Sequence, residues 1–104
     1  MNRTELSILI PTYNDCCAEL VNSLAQQAMR LSGLSYEIIV LDDASNRPEV
    51  LLQAAYINEL RNTWFVRRET NVGRAKIRNI LTSMARYGWL LFLDSDMEIV
   101  SPDF

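Results

Sequence analysis

Trp89-Leu90-Leu91-Phe92-Leu93-Asp94-Ser95-Asp96 is an unbroken apolar run that stops abruptly at two carboxylates one residue apart. The apolar part reads as a buried strand. Residues i and i+2 of an extended segment point to the same side. Asp94 and Asp96 are therefore placed to grip one hard cation, or one cation plus a sugar hydroxyl. Mg²⁺ and Mn²⁺ prefer such oxygen ligands and often bring phosphates with them. The plainer alternative is a strand end carrying two solvated acids.

Upstream of this run, strand and helix patterns alternate. Leu6-Ser7-Ile8-Leu9-Ile10 is a short apolar run closed by Pro11, a buried strand by its pattern. Residues 15–32 carry Cys17, Leu20, Val21, Leu24, Ala28 and Leu31 at helical spacing, with Gly33 just beyond. Tyr36 to Leu41 forms a second strand. Arg47-Pro48 opens a second helix, with proline suited to the first helical position and Leu51, Ala54, Ala55, Ile57 and Leu60 as the expected apolar face. Thr63 to Arg67 is a shorter, more polar strand, expected near an edge. A third helix is expected from Gly73 to Tyr87, with Ile77, Ile80, Leu81 and Met84 inward and Gly88 as its stop. Such alternation predicts a parallel sheet covered on both faces. Right-handed crossovers put every strand's carboxyl end along one edge, where ligands bind at the point of strand-order reversal.

The chain has 104 residues, enough for one small domain spanning 1–104, and its 49% hydrophobic and 22% charged content is globular. A net charge of −3 speaks against coating nucleic acid. No apolar run reaches the ~18 residues of a membrane span, and the N-terminus lacks a signal-peptide pattern. Adjacent Cys16 and Cys17 are read as reduced thiols on the first helix, because neighbouring cysteines bridge only with strain; this suits a cytoplasmic protein. Histidine is absent, so any metal must be held by carboxylates and any general base within the chain must be Asp or Glu.

The unusual polar residues cluster at the expected binding edge. Pro11-Thr12-Tyr13-Asn14 follows the first strand, Asp42-Asp43 the second, Arg67-Arg68 the third and Asp94-Ser95-Asp96 the fourth. Tyr13-Asn14 could equally be a turn and helix cap, and Asp42 and Asp43 could cap the next helix. Asn71-Val72-Gly73-Arg74-Ala75-Lys76-Ile77-Arg78 places cations at a helix N-terminus, against the helix dipole. That arrangement points to an anionic partner, a diphosphate or the acids of the neighbouring strand ends; the alternative is a solvated basic face. No G-x-G-x-x-G follows the first strand and no G-x-x-x-x-G-K-[ST] occurs, which argues against dinucleotide-binding and P-loop domains. The acids follow strands two and four, unlike the acidic pocket of a response regulator, and no Gly-rich signature of a sugar nucleotidyltransferase follows strand one.

Ser7-Ile8-Leu9-Ile10-Pro11-Thr12-Tyr13-Asn14, Glu37 through Ser45, Asn71-Val72-Gly73 with Ala75 and Arg78-Asn79, and Leu91 through Asp96, in that order, resemble family 2 glycosyltransferases of the GT-A fold. The resemblance spans essentially the whole chain. It implies a three-layer, Rossmann-like α/β domain with a parallel sheet of about four strands. It also implies a nucleotide-diphosphate sugar donor, most often a UDP-sugar, bound by Pro11, Thr12, Tyr13, Asn14, Asp42, Asp43, Arg74, Arg78, Asp94 and Ser95. Pro11 and Tyr13 would line the base pocket, Asp43 would bond the base, and Arg78 would lie near base or phosphates. Asp96 would hold a divalent cation, Mn²⁺ or Mg²⁺, and Asp94 would meet the ribose or that metal. The implied acceptor is a saccharide or lipid-linked hydroxyl, the transfer inverting, and the setting cell-envelope polysaccharide synthesis, with membrane association through segments not encoded here. Family members are considerably longer, so the catalytic base is expected downstream of Phe104 and the chain alone is expected to bind donor without transferring sugar. The alternative is a non-catalytic nucleotide- or metal-binding module. Apolar surface left open beside the fourth strand is expected to draw the chain into a homodimer.

Overall fold

The computed structural model describes residues 4–95. It contains β1 (Thr4–Thr12), α1 (Ala18–Arg30), β2 (Leu34–Asp42), α2 (Pro48–Glu59), β3 (Thr63–Arg67), α3 (Arg74–Met84) and β4 (Trp89–Phe92). The four strands form one parallel sheet in the order β3-β2-β1-β4. The chain thus steps outward from β1 through β2 to β3, then crosses to the other side of β1 for β4. The strand order reverses beside β1, and the carboxyl ends of β1 and β4 flank that reversal.

Alternate residues of the central strands serve opposite faces. Ile8, Ile10, Ile38 and Val40 pack with Leu20, Val21 and Leu24 of α1 and Ile57 of α2. Leu9, Ile39 and Leu41 pack with Ile77 and Leu81 of α3 on the other face. Both faces of β1 and β2 are dry, which explains their unbroken apolar runs. The result is the three-layer α/β arrangement expected of the sequence.

Several boundaries differ from the sequence reading, each for a visible reason. α1 begins at Ala18, not near residue 15, because the amide of Gln53 on α2 holds the preceding loop open. Gln53 Oε1 accepts the Cys17 N–H at 2.8 Å and Gln53 Nε2 donates to the Asp15 carbonyl at 3.0 Å. Cys16 therefore lies in the loop and only Cys17 caps the helix; both thiols are free. Leu31 stands outside α1 in extended conformation and is 49% exposed, not part of the apolar face. α2 buries Val50, Gln53 and Ile57, with Leu51, Ala54 and Leu60 half-buried and Ala55 exposed. A polar glutamine at the centre of the buried face is what rotates the helix away from the expected stripe.

α3 stops at Met84, short of Tyr87 and Gly88, because the next amides are drawn to the sheet. Glu37, buried on β2, accepts the Arg86 N–H at 2.7 Å, the Arg86 Nε at 3.1 Å and the Ser7 Oγ hydroxyl at 2.6 Å. Ser7 Oγ in turn accepts the Tyr87 N–H at 3.2 Å. This network sets the turn that feeds β4 into place beside β1, where Leu6 opposes Trp89 and Leu9 opposes Phe92.

Candidate functional site

A cleft of about 400 Å³ opens at the carboxyl edge of the sheet, where the strand order reverses. Its walls come from the β1 loop (Pro11, Thr12, Tyr13, Asp15), from Asp43 after β2, from the start of α3 (Asn71, Gly73, Arg74, Ile77, Arg78) and from Asp94 and Ser95 after β4. The packing that holds α3 on the sheet also presents its first turn to this cleft.

Asp43 is the brace of the site. It is buried, and its two carboxylate oxygens accept the N–H groups of Val72 and Gly73 at 2.8 and 2.9 Å. Its carbonyl accepts the Asn71 side-chain amide at 3.0 Å. Gly73, the residue before α3, has φ +87, a conformation that disfavours side chains. The acid of the second strand end is thus one anion answered by the α3 N-terminus. Each carboxylate oxygen has a second lone pair for a further donor.

Arg74 and Arg78 project from the first turns of α3 as exposed cations, and the Arg78 guanidinium lies 4.2 Å from the centre of the Phe92 ring. Tyr13 is half exposed in the wall, a flat surface suited to stacking. Facing the cations are the carboxylates of Asp15 and Asp94. Asp94 is exposed, and its carboxylate has no hydrogen-bond partner among the described residues. Exposed carboxylate oxygens without a protein donor are the donor set a hard divalent cation takes. Asp96, the expected principal metal ligand, lies outside the described residues.

The structure thus brings Pro11, Thr12, Tyr13, Asp43, Arg74, Arg78, Asp94 and Ser95 together around one cleft. Asn14 and Asp42 do not line it. Asn14 has φ +54 and joins the β1 and β2 loops: its N–H donates to Ser45 Oγ at 2.7 Å and its Oδ1 accepts the Asn46 N–H at 3.0 Å. Asp42 is fully buried; it accepts the Ser45 N–H at 2.9 Å and the Ser45 hydroxyl, with Arg67 at 3.9 Å. Neither acid caps α2, whose preceding residue is Arg47. The sequence reading missed Asp15 and Ile77 as lining residues. Asp15 lacks a pattern signal, whereas Ile77 was visible only as a core position.

No helix among the described residues is long and apolar enough to cross a membrane. A family model described as Glycosyl transferase family 2 matches residues 7–103. An uncharacterized glycosyltransferase of Haemophilus influenzae is 36% identical over 93 residues, covering 88% of this chain and 29% of that protein. The poly(ribitol-phosphate) beta-N-acetylglucosaminyltransferase TarS of Staphylococcus aureus is 36% identical over 95 residues, 88% of this chain and 16% of its own length. The crystal structure of S. aureus TarS 1–349 in complex with UDP-GlcNAc superposes with a TM-score of 0.68 at 33% identity, covering 89% of this chain and 27% of that one. The corresponding UDP complex gives 0.68 at 34%, with 89% and 28% covered. This chain therefore spans less than a third of each of these relatives.

Proposed function

The chain belongs to glycosyl transferase family 2 and has the GT-A fold, and on that premise we propose that its cleft binds the nucleoside diphosphate of a sugar donor, a UDP-sugar, for transfer to an acceptor hydroxyl. The observation that carries this reading is the convergence of Asp43, Arg74, Arg78 and Asp94 on one cleft at the strand-order reversal. Three elements that are distant in sequence contribute to it.

In this reading Tyr13 and Pro11 flank the base, and Asp43 accepts a base N–H on an oxygen already aligned by Val72 and Gly73. Arg74 and Arg78 offer guanidinium donors to the diphosphate, for which forked geometry suits phosphate oxygens. Asp94, with Asp96, would hold Mn²⁺ or Mg²⁺. A bound cation would offset the charge that builds on the leaving diphosphate. The acceptor is a saccharide or lipid-linked hydroxyl and the transfer inverts the anomeric centre, in the cytoplasm during envelope polysaccharide synthesis. The relatives named TarS and its UDP and UDP-GlcNAc complexes support the donor class.

The test is calorimetric titration of UDP into the full chain with Mn²⁺ and with EDTA, repeated on Asp94→Asn and Asp96→Asn. The expected result is Mn²⁺-dependent binding that both variants weaken at least tenfold, the scale of one lost charge-assisted contact. Equal affinity for UDP and for a phosphate-free nucleoside, or metal-independent binding unchanged in both variants, would overturn it.

A further inference from the structure

Asp15 is a carboxylate in the cleft wall that neither the sequence motifs nor the roles above use. Its side chain reaches across from the β1 loop to the end of β4, where Asp15 Oδ2 accepts the Ser95 hydroxyl at 3.0 Å. The two segments are neighbours because β1 and β4 pair, but the pairing ends early. The last backbone bond between them runs from the Leu93 N–H to the Leu9 carbonyl at 3.1 Å. β1 then continues to Thr12 alongside β2, while beyond Leu9 it is no longer paired with β4. Asp15 bridges that divergence.

Asp15 is itself held on the other side. Its carbonyl accepts the Gln53 amide at 3.0 Å and the Thr12 hydroxyl at 3.5 Å, and Gln53 is buried on α2. A line of polar contacts therefore runs from α2 through Asp15 to Ser95. Ser95 is buried, whereas Asp94 before it is exposed to the cleft. Fixing Ser95 inward leaves the residue before it with its carboxylate outward.

We propose that Asp15 is a positioning residue whose bond to Ser95 orients the turn at Asp94-Ser95 for the cation that accompanies the diphosphate. This rests on the donor-site reading above. Asp15 acts through Ser95 and does not itself touch the ligand. Preorganising such a turn before ligand arrives lowers the ordering cost that binding would otherwise carry.

The experiment compares Asp15→Ala, Ser95→Ala, the double variant and Asp15→Asn, which keeps an acceptor oxygen but removes the charge. UDP affinity is measured by calorimetry with Mn²⁺ and with EDTA. Each alanine variant is expected to weaken the Mn²⁺-dependent affinity about tenfold, the low end for a bond to a charged acceptor. The double variant should lose no more than either single one, the EDTA affinity should hold, and Asp15→Asn should recover most of the loss. Additive losses, or Asp15→Asn as weak as Asp15→Ala, would overturn the proposal in favour of direct ligation. A ligand-free readout separates this from failure of the donor reading. The Leu93 amide should exchange with solvent faster, by about tenfold, in each single variant and no faster in the double. Unchanged exchange refutes the clasp whatever UDP does, while faster exchange in a chain that binds no UDP sustains the clasp and rejects the donor reading.

Discussion

Asp43→Ala should separate folding from binding at this site. The substitution removes both acceptors of the Val72 and Gly73 N–H groups, bonds of 2.8 and 2.9 Å to a buried carboxylate. Each such charge-assisted bond contributes about 1.5 kcal/mol at the low end of the usual range. The two together give about 3 kcal/mol. At roughly 4–8 °C per kcal/mol for a domain of this size, the melting temperature should fall by about 15 °C. Asp94→Asn provides the contrast, because that carboxylate is exposed and without a partner among the described residues; its stability should stay within about 0.5 kcal/mol. Thermal unfolding followed by circular dichroism, with denaturant titration for the free energies, reads both. A loss below about 1 kcal/mol in Asp43→Ala would refute the reasoning. Water would then be satisfying the two amides, and Asp43 would be a ligand-facing group without a structural role.

Three further outcomes are expected. Glu37→Ala should cost about 3 kcal/mol, because it strands the Arg86 N–H and the Ser7 hydroxyl beside a buried position, while the Arg86 guanidinium stays in water; denaturant unfolding within 1 kcal/mol of the parent would contradict this. Ala44→Gly should stabilise by about 0.5–1 kcal/mol, since Ala44 sits at φ +65, where a β-carbon is strained; the melting temperature decides the sign. A thiol reagent at pH 8 should titrate Cys16 quickly and Cys17 only after unfolding, because burial pushes the Cys17 thiol from 9.0 up to about 12. The folded state thus keeps a proton that the unfolded chain releases. That stabilisation is complete below about pH 9 and is lost as the pH climbs toward 12; two fast thiols at pH 8 would disprove the burial.

The sheet was legible because its strands are dry on both faces. Ile8 to Ile10 and Ile38 to Leu41 could only be interior, and Thr63 to Arg67 showed its edge position by being shorter and more polar. The cleft was legible because parallel topology sends every strand's carboxyl end to one side. What escaped the sequence was the work of single polar side chains. Gln53 looks like a solvent-facing helix residue, yet it is buried and moves the start of α1. Glu37 reads as one letter of a strand motif, yet it ends α3. Asn14 and Asp42 sit inside motifs but spend their hydrogen bonds on neighbouring loops. Propensity and periodicity register apolar spacing, and such long-range polar pairings leave no period to detect.

The unequal ends of β1 and β4 have a consequence for how this scaffold tolerates change. β1 runs on to Thr12 beside β2, whereas its partnership with β4 finishes at Leu9. The cleft is therefore a step between two rods of different height. Step height is counted in backbone residues and is indifferent to which side chains decorate it. Substitutions along the walls can retune what is held while the ledge stays put. One residue inserted inside β4, between Leu90 and Leu91, would push Asp94 along the sheet and turn the residues after it to the other face. Lineages sharing this step should thus diversify by exchange of residues at the rim and shun length changes inside β1 and β4.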